Sequence, residues 1–150
     1  MTVRGLEPAD LDAWIGMRQA LFEDEDPDDI ASEARRLAST MTLRGQPFHV
    51  GLAVRDGQAV GFIEIARRDV AEHCESSPVA YVEAWYVEPV HRTSGVGRAL
   101  MDHAFAWART TGCAEIASDA EVDNVDSARA HLALGFEDCG ILRHFRRAIS

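Results

Sequence analysis

VAYVEAWYVEPVHRTSGVGRALMDHAFAWA, residues 79–108, reads as a strand, a glycine-bearing turn and a helix. From Val79 to Val87 only Glu83 interrupts an apolar run, the pattern of a strand buried on both faces. Pro89 ends it, because proline cannot donate to a sheet ladder. Past the turn, Val96, Ala99, Leu100, His103, Ala104, Trp107 and Ala108 recur at helical spacing. Between the two lies Arg92-Thr93-Ser94-Gly95-Val96-Gly97, followed by Arg98. A helix opened by glycines presents backbone N–H groups and a partial positive charge, which suit a phosphate. Gly95 and Gly97 leave room for the main chain to approach a ligand, and Arg92 adds a fixed charge. The signature is Arg-x-x-Gly-x-Gly. It is neither the P-loop GxxxxGK[ST] nor the dinucleotide GxGxxG.

Outward from this stretch, the N-terminal half supplies a strand at Thr2–Leu6 and a helix opened by Glu7-Pro8. Leu11, Trp14, Ile15, Arg18 and Phe22 form one inward stripe of that helix. The acidic run Glu23–Asp29 follows and reads as a solvated loop or the rim of a polycation site. Asp28 or Asp29 caps a second helix carrying Ile30, Ala34, Leu37 and Met41, broken by Gly45 and Pro47. His49–Val54 and Ala59–Ala66 form a hairpin about Asp56-Gly57. Glu64, inside its second strand, is either an outward position or a site carboxylate.

After the central helix, closed by Gly112, a short strand at Ala114–Ser118 leads to Asp119. A last helix, Ser127–Leu134, is capped by Asp123, Asn124 or Asp126, and Phe136–Arg147 returns as a strand. The order predicts one mixed α/β domain over residues 1–150, a central mixed sheet flanked by helices.

Composition sets outer bounds. The 150 residues are 47% apolar and carry a net charge of −10. The acidity argues against nucleic acid and favours cationic ligands. No apolar run is long enough to span a membrane. Cys74, Cys113 and Cys139 fit reduced thiols of the cytoplasm. The six histidines show no HExxH or cysteine spacing, so no metal is expected.

The turn resembles the pyrophosphate-binding turn of the GCN5-related N-acetyltransferases (GNAT). Asn124-x-x-Ser127-x-x-x-His131-x-x-x-Gly135-Phe136 resembles that superfamily's second element, with His131 where tyrosine is usual. Segments 75–87, 91–95, 117–124 and 134–136, with Asp12–Phe22, are similar to the bacterial aminoglycoside 6′-N-acetyltransferases. The resemblance implies acetyl-CoA as cosubstrate, a cationic aminoglycoside as acceptor, direct attack in a ternary complex and a homodimer. Its cofactor residues would be Trp85, Tyr86 and Val87 for pantetheine, Arg92, Thr93, Ser94, Gly95, Val96, Gly97 and Arg98 for pyrophosphate, and Asn124. Phe22, Glu83 and Asp119 would bind the drug, with sugar rings on Phe22 or Trp85. Glu83 or Asp119 would be the base, and His131 the donor to the thiolate. Where the family has Tyr-Val-Asn-Gly this chain has Ala71-Glu72-His73-Cys74, and where it has an acid after Gly-Phe this chain has Gly140. Three other readings stand beside it: an acetyltransferase for another amine, such as a polyamine or protein amine; a non-catalytic acyl-CoA module; and a nucleotide-binding protein.

Overall fold

Long apolar strands, those over Gln46–Arg55 and Gln58–Arg68 buried at consecutive positions, make the sheet of the computed structural model, which describes residues Met1–Ser150. Its strands are β1 (Thr2–Gly5), β2 (Thr42–Leu43), β3 (Gln46–Arg55), β4 (Gln58–Arg68), β5 (Val79–Val87) and β6 (Ile116–Ala117). They lie in the order β1-β3-β4-β5-β6, with β2 on β3. Every pairing is antiparallel except β5–β6. The sheet is therefore mixed, as its sequence predicts. The helices are α1 (Leu11–Leu21), α2 (Pro27–Thr40), α3 (Val96–Thr110) and α4 (Val125–Ala133). No helix is long and apolar enough to cross a membrane. The chain divides into two compact units, Met1–Ser118 and Asp119–Ser150.

In the first unit one sheet face packs on α1 and α2. Trp14, Ile15, Met17, Ala34 and Leu37 meet Phe48, Val50, Leu52, Phe62, Ala84 and Tyr86 there. The other face carries α3. Gly51 and Gly61 have no side chain because α3 and β5 sit against them. A Cβ on Gly51 would lie 2.7 Å from the His103 ring, and one on Gly61 2.7 Å from the Tyr86 carbonyl. His49 on β3 and His103 on α3 bring their Nε2 atoms to 2.9 Å, and His49 also stacks on Trp107. Burial, then the neighbouring His103, pushes His49 down to about 4.

Several boundaries shift for local reasons. Asp26, not Asp28 or Asp29, caps α2: its carboxylate accepts from the N–H groups of both, and Pro27 takes the first helical position. Half of the acidic run is therefore a helix start, where negative charge is favoured. A short hairpin unforeseen in the sequence, β2–β3, turns through Arg44 (φ 51) and Gly45 (φ 75). Two consecutive left-handed residues are the signature of a tight turn matched to strand twist. β5 has buried residues on both faces, Val82 opposite Ile65 and Ala84 and Tyr86 in the α1–α2 core, with half-buried positions between them.

In the second unit Asn124 caps α4 by accepting from Ser127 N–H at 3.1 Å, so the helix begins at Val125 rather than Ser127. Phe136–Arg147 carries no strand. A strand needs a neighbour for its N–H and C=O groups, and the chain offers this segment no ladder. Ile141, Leu142 and Phe145 are exposed along it, as is Ile149 beyond.

Candidate active site

The turn after β5 has the geometry that its glycines suggest. Thr93 (φ 62) and Gly95 (φ 87) are both left-handed. Gly95 caps α3 without a side-chain bond, and the first intrahelical bond runs from Ala99 N–H to the Gly95 carbonyl at 3.1 Å. The N–H groups of Val96, Gly97 and Arg98 thus precede the helical ladder. A Cβ on Gly95 would meet nothing within 4 Å, whereas one on Gly97 would meet the Trp85 ring at 3.3 Å. Only Gly95 opens onto empty space; Gly97 is small because an indole packs against it. Arg92 Nε donates to the Val87 carbonyl at 2.8 Å, and its guanidinium lies 5.7 Å from the Tyr86 ring. That tether leaves Arg92 exposed beside Thr93, Ser94 and Arg98. The Ser94 hydroxyl donates to the His91 carbonyl and lies 3.5 Å from Arg55 Nη1. These residues fit an anionic group: open space, unladdered amides and a fixed cation.

Beside the turn, the β5–β6 ladder covers only Ala80 and Tyr81. Val82–Val87, including Trp85, Tyr86 and Val87, run on past it. On the other edge a bulge interrupts the β4–β5 register, where Glu64 faces Ala84 but Ile65 faces Val82. Glu83 is the extra residue. The bulge reverses the alternation beyond it. Ala84 and Tyr86 join the core under α1 and α2, while Trp85 turns to α3. Trp85 therefore does not share Glu83's side of the sheet, and the expected sugar stacking on Trp85 gives way to packing on Gly97.

Glu83 itself is largely buried, with 15% of its side chain exposed. Arg68 Nη2 donates to both its oxygens at 2.9 Å, and Arg68 lies 3.5 Å over the Tyr81 ring. Arg44 Nη1 comes within 3.5 Å of the same carboxylate. On β4, Glu64 is neither an outward position nor an open site carboxylate: it is turned inward and sealed. It is 2% exposed and accepts from Arg18 Nε at 2.6 Å. Burial pushes Glu64 up to about 7 against the pull of Arg18, with Glu33 and Glu83 pushing the same way. Arg18 also donates to the Ile30 carbonyl at 3.2 Å and lies 5.5 Å from the rings of Trp14 and Phe22. Phe22, at the end of α1, is half-buried with the Arg18 guanidinium over its ring.

Arg18, Arg44 and Arg68 all escaped the functional reading of the sequence. Arg18 carried a usable signal, since a charge inside an apolar helical stripe needs a buried partner. Arg44 and Arg68 carried none.

In the second unit, Asp119 is exposed just after the first unit ends. Asn124 spends its side-chain oxygen on the α4 cap. His131 Nδ1 lies 2.7 Å from the Ser127 carbonyl, which can only accept, so Nδ1 carries a proton. Its ring meets Phe136 edge-on at 5.1 Å. A hollow of about 400 Å³ lined by Arg4, Asp10, Val54 and Gln58 shares no residue with any of these groups.

The family model for the acetyltransferase (GNAT) family matches residues 12–136. The chain belongs to the GNAT acetyltransferase family. Among its relatives, the aminoglycoside N(6′)-acetyltransferase type 1 of Klebsiella aerogenes is 42% identical over 148 residues, covering 98% of this chain and 96% of the relative. The protein of that name from Stenotrophomonas maltophilia is 42% identical over 97% of this chain and 92% of its own. Among GNAT structures, the apo aminoglycoside 6′-N-acetyltransferase AAC(6′)-Ig of Acinetobacter haemolyticus superposes with a TM-score of 0.90 at 32% identity, covering all of both chains. AAC(6′)-Iy, in complex with the bisubstrate analogue CoA-S-monomethyl-acetylneamine, superposes with a TM-score of 0.89 at 28% identity, covering 99% of this chain and 98% of its own.

Proposed function

We propose that this GNAT protein is an aminoglycoside 6′-N-acetyltransferase that moves acetyl from acetyl-CoA to the drug's 6′-amine by direct attack in a ternary complex. The carrying observation is the likeness to proteins of that name at 42% identity along nearly the whole chain. The family match runs from residue 12 to 136, across the boundary between the two units, which supports a single acetyltransferase domain over residues 1–150.

The amides of Val96, Gly97 and Arg98, with Arg92, Thr93, Ser94 and Gly95, would hold the pyrophosphate. The backbone of Trp85, Tyr86 and Val87, past the β6 ladder, and Asn124 would hold pantetheine. Acetyl-CoA supplies the acyl group as a thioester. Glu83 or Asp119 takes a proton from the ammonium, the freed amine attacks the acyl carbon, and the C–S bond breaks. A backbone N–H near Val87 steadies the oxyanion. His131, as the imidazolium with Nδ1–H held on the Ser127 carbonyl, would give its Nε2 proton to the departing thiolate and be left neutral. Phe22, Glu83 and Asp119 receive the sugar, and the exposed acids of Glu23–Asp26 strengthen the field that draws a polycation.

The protein would act in the cytoplasm, in keeping with thiols that form no disulfide, and would confer antibiotic resistance. It would be a homodimer. Support comes from the C-terminal segment, whose Ile141, Leu142, Phe145 and Ile149 are exposed. Light scattering of the purified protein reads its mass directly.

An acceptor panel of kanamycin, tobramycin, spermidine and a peptide, followed by release of free thiol, tests the activity. Turnover is expected with the aminoglycosides; turnover of none of them ends this reading. Gly95→Val should weaken acetyl-CoA binding by at least tenfold in calorimetry, because the side chain enters the open space over the turn. Unchanged affinity would remove the pyrophosphate from it.

A further inference from the structure

The carboxylate offered to a cationic substrate already carries cations of its own chain, and the two differ in how they are held. Arg68 is clamped, with hydrogen bonds to both oxygens of Glu83 and its plane on Tyr81. Arg44 approaches at 3.5 Å with 64% of its side chain exposed, too long for a strong hydrogen bond. Its backbone is nevertheless fixed. Arg44 and Gly45 form the tight β2–β3 turn, and the next residue, Gln46, donates to Asp69 at 2.9 Å and accepts from Arg67 at 3.1 Å. The hairpin tip is thereby tied to the end of β4, the strand that carries Arg68 (β4, Gln58–Arg68). One carboxylate between two guanidinium groups leaves this cluster positive. Next to it Arg18 is shared between Glu64 and, at 4.0 Å, Glu33, whose side chain is 47% exposed, so water screens the one negative charge left over.

We propose that Arg44 is a specificity-determining residue: it stands on Glu83 in place of a substrate ammonium and must be displaced by one. Acceptors whose cation outcompetes an exposed guanidinium are admitted. Weaker cations are refused, although the protein as a whole is strongly acidic. This inference rests on the proposed aminoglycoside reading for the identity of the substrate, but displacement from Glu83 can be measured without turnover.

The test compares wild type with Arg44→Ala, Arg44→Lys and Arg44→Glu, using kanamycin as the probe. Arg35→Ala, an exposed α2 position, controls for bulk charge. Calorimetry should show Arg44→Ala binding kanamycin about threefold more tightly, the scale of an exposed ion pair, and Arg44→Glu more tightly again. Arg44→Lys should stay near wild type. In steady state the same factor should appear in the aminoglycoside KM, with kcat and the acetyl-CoA KM within about twofold. The gain should shrink at high salt. Unchanged or weaker kanamycin binding in Arg44→Ala, or an equal gain in Arg35→Ala, overturns the proposal. Binding without acetyl transfer by wild type would instead count against the proposed function and leave the Arg44 result readable.

Discussion

Arg18–Glu64 and Arg68–Glu83 are the same two residue types joined at adjacent strands, yet one pair is sealed and the other is half open. Glu64 keeps regular register with β3, opposite Val50, while the extra residue of the adjoining bulge belongs to β5, and it points into the α1–α2 core. Its partner reaches it from α1 and is 4% exposed. Glu83 is the extra residue of a β-bulge, and its partners keep 29% and 64% of their side chains in solvent. A regular strand position yields a structural carboxylate, and a bulged one yields a carboxylate that a ligand can reach. The difference lies in the backbone, because the chemistry is shared.

The largest effect should come from breaking the sealed pair. Glu64→Ala leaves the Arg18 guanidinium buried without its anion, which costs about 3–5 kcal/mol. Replacing both, as Arg18→Met with Glu64→Leu, should restore most of that stability, since apolar replacements of buried ion pairs are often neutral. Urea denaturation of the three variants checks both. If the double variant is as unstable as the single one, the pair is holding α1, α2 and β4 in register rather than merely satisfying itself.

Next comes pH. The Glu64 carboxyl is raised from 4.5 to about 7. The folded state therefore holds its proton more tightly than the unfolded chain. The stability this gives is full below pH 4.5 and is lost as pH rises through about 7. His49 runs the other way, falling from 6.5 to about 4, so its contribution is full above pH 6.5 and is lost as pH falls through 4. Glu64→Gln should cancel the first trend and leave the second. Between pH 4.5 and 7.5 it should gain up to about 3 kcal/mol relative to wild type, read from denaturation at the two pH values. Parallel pH curves would mean that Arg18 outweighs burial and keeps Glu64 ionised throughout.

Of this contrast the sequence shows one side. The β5 run, Pro89, the Arg-x-x-Gly-x-Gly turn and the apolar stripe of α3 are strict local patterns, and each stands where it was expected. Asp56-Gly57 is equally plain, with both residues left-handed. The bulge leaves no trace, because one extra residue in an apolar strand changes facing without changing composition. The bulge is why Trp85, one of two candidates for the sugar rings beside Phe22, stands on the α3 side. Arg44 was hidden because β2 pairs only Thr42 and Leu43, too short a strand for an alternation to register. Phe136–Arg147 has strand-forming residues, but pairing is a property of two segments, and one segment's sequence cannot state it.

The open pair carries the third prediction. Glu83→Gln keeps the shape and the Arg68 contacts of one oxygen but removes the base. If Glu83 takes the amine proton, kcat should fall about 100-fold with acetyl-CoA affinity intact. An unchanged kcat transfers that role to Asp119 and leaves Glu83 as a binding carboxylate. Glu64→Gln measured beside it should alter kcat far less, which separates the carboxylate that meets substrate from the one that does not.

The smallest effect should follow Arg68→Ala. The pair is partly solvated, so its loss should cost no more than about 1 kcal/mol, the range of surface ion pairs. Part of that is the guanidinium's contact with the Tyr81 face at 3.5 Å. Because water and salt already screen the open pair, the loss in urea denaturation should shrink further at high ionic strength. Arg18→Ala under the same conditions should cost several times more and respond little to salt. The sealed and open labels depend on that unequal response. A salt-insensitive loss of several kcal/mol for Arg68→Ala would show that Glu83 is held as tightly as Glu64 and is closed to an incoming ammonium.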